Sequence, residues 1–362
     1  MKLCRIIKKY QGACFGWGVN LTGRGSELPE GEISFLPSAV QLSGNQTPKK
    51  VVAGYGETIF LTNDGQLQLC GSQSILSDVF VKPDIPAVLK QFGENEKLTD
   101  ADIDYSHLVM LTNQGGVYQT NSKTTIENIS LPGPAKLIAA GNKFTIAVVL
   151  IEGKEEVWGW GESDRNGSVF CQKFMDQREA GPIPLINEAL SGDKVTQLSI
   201  VGHSIALKTV NGKMLVWGDN ATACLGVPRS ELSRIDNNVF EPTDPLELAG
   251  IEDSVLDFAL SQNIMIVRGK KGVYWCGLDN KFALRPVTLP VKSKITGIGA
   301  SHNHFYIITE EGQTFSNLPL NGEKDLKHYG NEGLYEIDQK YFGSGKVNNI
   351  SGKYYNAFAI CK

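Results

Sequence analysis

The sequence predicts an all-β protein, a single seven-bladed propeller spanning residues 1–362, and three observations carry that reading. The first is the placement of tryptophan. All five fall in short apolar runs that end at Gly or Cys-Gly: Phe15-Gly16-Trp17-Gly18, Val157-Trp158-Gly159-Trp160-Gly161, Leu215-Val216-Trp217-Gly218 and Val273-Tyr274-Trp275-Cys276-Gly277. An aromatic that recurs once per interval marks a repeat array. The second is the interval. The residue after the aromatic run falls at Gly18, Gly71, Asn121, Gly161, Gly218, Gly277 and Asn317, and seven such steps exhaust the 362 residues with a mean of about 52. Short strands repeated every 40 to 50 or so residues indicate propeller blades. The third is that the chain ends complement each other. Ile350-Ser351-Gly352 and Ala357-Phe358-Ala359-Ile360 supply two strands of a unit and stop, while Cys14-Phe15-Gly16-Trp17-Gly18 supplies only the third. Pairing them in one blade removes the sheet edge that an open array would expose.

Within a unit the elements follow in order. A first apolar strand ends at a small residue, two variable residues turn the chain, and a second apolar strand follows. A Gly turn then leads to the aromatic strand. The clearest copy reads Val51-Val52-Ala53-Gly54, Thr58-Ile59-Phe60-Leu61, Asn63-Asp64-Gly65, Leu67-Gln68-Leu69-Cys70-Gly71. Asp-Gly between apolar runs is a hairpin signal, because Gly takes the positive φ that tight turns need. The other copies turn at Gln114-Gly115, Asn211-Gly212, Lys271-Gly272 and Glu311-Gly312. Two copies are worn: Thr120-Asn121 and Ser316-Asn317 stand where Trp-Gly is expected. Three connections are long, Glu162 to Leu190, Pro228 to Gly250 and Leu320 to Lys346. Part of each is expected to form a blade strand, with Pro182, Pro245 and Pro286 as punctuation before it.

Composition narrows the function. The net charge is −4 with acids and bases interspersed, and no basic tail offers the counterion release that drives direct nucleic-acid binding. Arg5, Lys8 and Lys9 are a small basic cluster read as a solvated strand flank. No apolar run reaches 18 residues, so no membrane span is expected, and no signal-peptide core precedes the first strand. Seven widely spaced cysteines read as reduced core thiols of a cytosolic or nuclear protein, which leaves the triplet Asn20-Leu21-Thr22 without meaning as a glycosylation site.

The unit resembles the repeat of the regulator of chromosome condensation family of seven-bladed propellers. The residues that carry the resemblance are His203-Ser204-Ile205-Ala206-Leu207, Gly212, Val216-Trp217-Gly218-Asp219-Asn220 and Leu225-Gly226, supported by Trp17-Gly18-Val19-Asn20 and His107-Leu108-Val109-Met110-Leu111-Thr112. WD repeats fit less well, since no Trp-Asp occurs, and the kelch Gly-Gly doublet is found only at Gly115-Gly116. The resemblance implies that an exchange factor of this family sets acidic residues and a histidine in the loops before the second strand, against a small GTPase. Here those pairs read Tyr55-Gly56, Tyr105-Ser106, Asn142-Lys143, Val201-Gly202, Leu260-Ser261, His302-Asn303 and Lys353-Tyr354. None is acidic, and only His302 matches in type, which argues against nucleotide exchange.

What the same loops offer is Tyr and cations. Tyr55, Tyr105, Lys143, His302, Asn303, Lys353 and Tyr354 are the candidate partner-binding residues, Tyr being suited to interface hot spots. No catalytic residue, metal site or cofactor is expected. His302-Asn303-His304 lacks a third ligand, His203 and Ser204 fall at repeat positions, no Gly-x-Ser-x-Gly or P-loop occurs, and Gly297-Ile298-Gly299 is an incomplete dinucleotide fingerprint. The expected function is a non-enzymatic protein-interaction platform. The alternatives are a guanine-nucleotide exchange factor for a small GTPase, and a chromatin-associated propeller acting through a protein such as a histone-modifying enzyme.

Overall fold

Seven antiparallel sheets surround a central channel in the computed structural model. It describes residues 14–19, 33–40, 42, 48–71, 95–105, 107–121, 125–163, 168–172, 176–228, 237–277, 283–289, 292–320, 327–329 and 333–362. Blade 1 is shared between the chain ends, in the order Ile33–Val40, Cys14–Val19, Asn356–Cys361, Val347–Ser351. Its closing register runs Cys14 opposite Ile360, Phe15 opposite Ala359 and Gly18 opposite Asn356. Blades 2 to 7 begin at Pro48, Leu98, Ala135, Val195, Val255 and Ile295. The expected fold and its closure are therefore observed. The basic cluster Arg5, Lys8 and Lys9 and the triplet beginning at Asn20 lie outside the described residues.

Each blade packs both faces on its neighbours, so its second strand has no solvent side. Glu57–Thr62 and Asn356–Cys361 are buried at every position. In blade 2, Ile59 and Leu61 face blade 3 beside Ile103 and Leu108, while Phe60 faces blade 1 and meets the Phe358 ring edge-on at 5.6 Å. Burial on both faces is why these strands read as near-continuous apolar runs, as in the buried 144–149 of Phe144–Ile151.

The seven first strands line the channel, whose volume is about 420 Å3. All seven open with the same β-bulge, at Pro48/Lys50, Leu98/Asp100, Ala135/Leu137, Val195/Gln197, Val255/Asp257, Ile295/Gly297 and Val347/Asn349. A repeated bulge gives each strand the same extra twist as it enters the ring. The channel-facing edges carry backbone groups that polar side chains of adjacent blades satisfy: Gln197 Nε2 donates to Phe258 O at 2.6 Å, and Ser351 Oγ to Val51 O at 2.9 Å.

The third strands hold the tryptophans in place. Trp217 is fully buried and donates to Val169 O at 3.0 Å, Trp17 donates to the Tyr306 hydroxyl at 3.1 Å, and Trp160 bridges to Gln119 of blade 3 at 2.7 Å. The glycine that follows is needed for two reasons. Gly18, Gly161, Gly218 and Gly277 all have φ between +94° and +118°. A Cβ there would also press on a backbone carbonyl, that of Tyr355, Lys143, His203 or Asn263, at 2.0 to 2.4 Å. In the worn blade 7, Asn317 replaces this glycine, and its amide donates to the equivalent carbonyl, Asn303 O, at 3.0 Å.

The long connections correct one expectation. Pro182 ends the outer strand Gln177–Pro182, and Pro286 lies inside the two-residue strand Arg285–Pro286. Pro245 starts no strand: it opens a short helix, Pro245–Leu248, behind an Asp244 cap whose carboxylate accepts from Leu246 N and Glu247 N. Pro184 opens a second helix, Pro184–Leu190. Proline at the first helical position loses no hydrogen bond, so it marks a helix start as readily as a strand boundary. Arg165, Lys173, Arg229, Glu231, Arg234, Asp236, Lys324 and Asp325 of these connections are outside the described residues. Among the described residues, no helix is long and apolar enough to cross a membrane. Cys14, Cys171, Cys224, Cys276 and Cys361 are free thiols, and all but Cys171 are buried.

Candidate interaction face at the channel mouth

The turns between first and second strands gather at one end of the channel. Counting from each bulge shows which residues occupy them: Tyr55-Gly56, Tyr105 (Ser106 lies outside the described residues), Asn142-Lys143, Gly202-His203, Gln262-Asn263, His302-Asn303 and Tyr354-Tyr355. Three pairs differ from the sequence expectation. Val201 and Leu260 end their strands, Ser261 precedes the turn, and Lys353 takes the position before the Tyr354-Tyr355 turn. The position before the pair is Gly54 and Gly141 in two blades but Val201, Ser261 and Lys353 in others. It takes no positive φ in any of these five, so glycine is not required there, and a glycine-anchored count slips.

Four of these turns need left-handed backbone. Tyr105, His302 and Gly202 take φ of +46°, +41° and +61° at the first turn position, and Lys143 takes +67° at the second. For Tyr, His and Lys this conformation is strained, and strain of this kind persists where the surroundings hold it.

The Tyr354 turn reaches inward and fills the mouth. Tyr354 is buried, and its hydroxyl donates to Asp104 Oδ1 of blade 3 at 2.7 Å. Asp104 Oδ2 accepts from Gly202 N of blade 5 at 2.7 Å. Lys353, also buried, pairs with Asp102 at 2.8 Å and donates to Ile103 O at 3.1 Å. Asp102 in turn accepts from Ala140 N of blade 4 and from Ile103 N. A main-chain bond from Gln262 N to Lys353 O ties in blade 6. Blades 1, 3, 4, 5 and 6 thus meet in one buried polar network. Burial pushes the Asp104 carboxyl up to about 6, against the pull of Lys353 and of the Tyr354 and Gly202 donors. The same burial, with Asp104 beside it, raises the Tyr354 hydroxyl. Tyr354 at neutral pH is therefore a donor, which is the role its geometry gives it.

Above this network lies an aromatic pad. Tyr55 and Tyr105 stack at 4.8 Å with planes 10° apart. Tyr354 presents its edge to both, at 5.4 and 5.7 Å, and Tyr355 packs against Tyr55 at 6.1 Å. His302 leans on Tyr355 at 4.6 Å, and burial lowers its pKa, so the ring is neutral at pH 7. Tyr55, Tyr105, Tyr355 and His302 remain partly exposed. Asn303 accepts from Asn263 Nδ2 at 2.7 Å and stiffens the adjoining turn. Lys143 is exposed at the rim and pairs with Glu162 at 2.9 Å.

The candidate residues thus separate into two groups. Tyr55, Tyr105, His302, Asn303 and Lys143 reach the surface, while Lys353 and Tyr354 are turned inward and organise the face from below. Sequence reasoning missed Asp102, Asp104 and Tyr355. The available signal was Asp102-Ile103-Asp104, two carboxylates at positions where the other blades carry apolar or small residues, Lys353 of blade 1 excepted. It also missed Glu162 and Asp219, which follow the third-strand glycines and donate their amides to Lys143 O and His203 O on the same face.

Seven antiparallel blades, one of them shared by the chain ends, with tryptophan and glycine in the third strands of four of them, define a closed seven-bladed propeller. Human WBSCR16 has the same fold, with a TM-score of 0.74 and 15% identity over 98% of this chain and 99% of that one. Prp20p from Saccharomyces cerevisiae, described with its binding properties to Gsp1p and histones, gives a TM-score of 0.73 and 14% identity over 98% and 92%. At these identities the likeness establishes the fold. In sequence, the RCC1-like G exchanging factor-like protein of Mus musculus is 25% identical over 234 residues, 59% of this chain. The match spans about half, 50%, of the mouse protein's length. No protein-family model matches the chain.

Proposed function

We propose that this chain is a non-enzymatic protein-interaction platform and that the aromatic mouth is its partner surface. The observation that carries the reading is the pad itself. Four partly exposed aromatic side chains, two of them on strained turns, converge from four blades over a buried network. Tyr contributes large contact area at low entropic cost, and rigid loops lower the ordering cost of association. Affinity capture with Tyr55→Ala, Tyr105→Ala and His302→Ala tests it, with thermal unfolding as the control for folding. A partner lost by at least ten-fold from Tyr105→Ala, with its unfolding transition kept, is the expected result. Retention of every partner by all three variants rejects this face.

A second reading, guanine-nucleotide exchange, is supported by the name of the mouse relative and by the binding of Gsp1p to Prp20p. Against it, the described turn residues at the mouth include no carboxylate, and Asp102 and Asp104 are buried and engaged. Release of fluorescent nucleotide from a panel of small GTPases decides between them: acceleration at catalytic concentrations establishes exchange. A chromatin role would run through a protein partner, as the histone binding of Prp20p illustrates.

A further inference from the structure

The mouth combines aromatic faces with an excess of negative charge. Among the described residues, the charged side chains at and directly beneath it are Asp102, Asp104, Glu162 and Asp219 against Lys143 and Lys353, with the neutral His302 in the pad and the buried Glu57, raised to about 7 and so only part ionised, behind the Tyr55-Gly56 turn. Four carboxylates thus face two ammonium groups. Both ammonium groups are already committed, Lys143 to Glu162 and Lys353 to Asp102. Asp104 sits under the Tyr55–Tyr105 stack with Tyr354 between, and both its oxygens are taken by Tyr354 and Gly202. It therefore contributes field rather than a hydrogen bond to anything arriving from outside. A tyrosine face carries negative quadrupole density and attracts a cation, and a carboxylate behind it in a poorly solvated site adds to that attraction. Tyr105 is half of the stack, with Tyr55 on one of its faces and the Tyr354 edge beside it.

We infer that the mouth takes a cationic side chain, an arginine or lysine on a flexible basic segment of the partner protein, seated on the Tyr55–Tyr105 pair. This deepens the reading of the mouth as the partner surface and rests on it. Arginine suits the site better, because its planar guanidinium stacks on an aromatic face and sheds water more readily than an ammonium. An acidic segment is repelled by the same carboxylates, and a purely apolar one leaves them uncompensated.

The test uses the full chain labelled with 3-fluorotyrosine, its 19F signals assigned by single Tyr→Phe variants. The probes are N-acetyl-arginine amide, its neutral isostere N-acetyl-citrulline amide, and N-acetyl-glutamate amide. The arginine probe is expected to shift the Tyr55 and Tyr105 signals at millimolar concentration. Citrulline should bind about five-fold more weakly or worse, as loss of one exposed cation–π contact implies. Glutamate should have no effect, and Tyr105→Leu should abolish the arginine response. Equal binding of citrulline overturns the cation inference and leaves the face standing. An arginine response confined to other tyrosines, or unchanged in Tyr105→Leu, also overturns it. Failure of the underlying reading has a separate signature, the survival of all partners in the capture experiment on Tyr55→Ala, Tyr105→Ala and His302→Ala.

Discussion

Two lysine–aspartate pairs use the same first strand of blade 3, and their surroundings make them unequal. Near the outer end Lys50 meets Asp100 at 2.6 Å, with side chains 39% and 24% exposed. Near the mouth Lys353 meets Asp102 at 2.8 Å, with side chains 9% and 7% exposed. The chemistry is identical and so is the separation, to within 0.2 Å. What differs is water. The outer pair exchanges hydration for a contact of similar worth and can part at little cost. The inner pair has surrendered its hydration, so each partner depends on the other and on the amides of Ala140 and Ile103 around them. One end of the channel is therefore a mixed polar surface and the other a fixed floor on which the tyrosine pad rests.

The comparison is broken most directly at Lys353. Lys353→Met leaves Asp102 buried without its cation. It is expected to destabilise the fold by about 3–5 kcal/mol, read as a fall in the denaturant midpoint. Adding Asp102→Leu should recover much of that loss, because the double variant has no orphaned charge and measures the pair rather than its remnant. The pad should loosen with its floor, so the Tyr55–Tyr105 stack should lose its near-UV circular dichroism even under conditions where Lys353→Met is still folded. A single variant no worse than the double would show that desolvation does not govern this end of the channel.

Glu57 supplies the next case, a buried carboxyl with no cation at all. It follows the Tyr55-Gly56 turn, is 1% exposed, and neither oxygen finds a hydrogen-bond partner. Burial pushes it up from 4.5 to about 7, offset in part by the nearby Gly56 amide. The folded state therefore holds this proton more tightly than the unfolded state. Glu57 costs nothing while protonated in both, below about pH 4.5, and its penalty grows as pH rises towards 7. Glu57→Gln should gain stability over the natural chain across that window, levelling off near about 3 kcal/mol above pH 8. Taking the difference between the two proteins removes His107 and His304, which burial lowers to about 4 and which act in the opposite direction below pH 6.5. A pH-independent difference would mean that Glu57 is paired in solution.

These sites also show what could be read without coordinates. Blade number and closure were legible because the Trp-Gly element answers a backbone demand: at Gly18, Gly161, Gly218 and Gly277 a side chain would collide with the neighbouring turn. The turn register was legible at Tyr55 and Asn142, where glycine precedes the turn, and at Tyr105 and His302, where it does not, and it slipped at Val201, Ser261 and Lys353. The mouth network was not legible, since Asp104, Gly202 and Tyr354 come from blades 3, 5 and 1, and Asp104 and Tyr354 lie 250 positions apart. Ring closure brings them together, and no local pattern encodes it. The tyrosines were found as a group, but which would face outward depended on that same closure.

The smallest expected effect sharpens the comparison from the other side. Lys50→Met removes the cation from Asp100, yet Asp100 still accepts from Ala101 N at 2.8 Å and keeps access to water. A partly exposed pair of this kind contributes about 0.2–1 kcal/mol, and added salt screens it further. Lys50→Met should therefore shift the denaturant midpoint barely beyond error at low salt and not at all at 1 M NaCl. Lys353→Met should keep most of its deficit at both salt concentrations, because a buried pair is poorly screened. Equal salt sensitivity of the two variants would show that water reaches the mouth as freely as the outer end, and would remove the basis for treating the tyrosine floor as rigid.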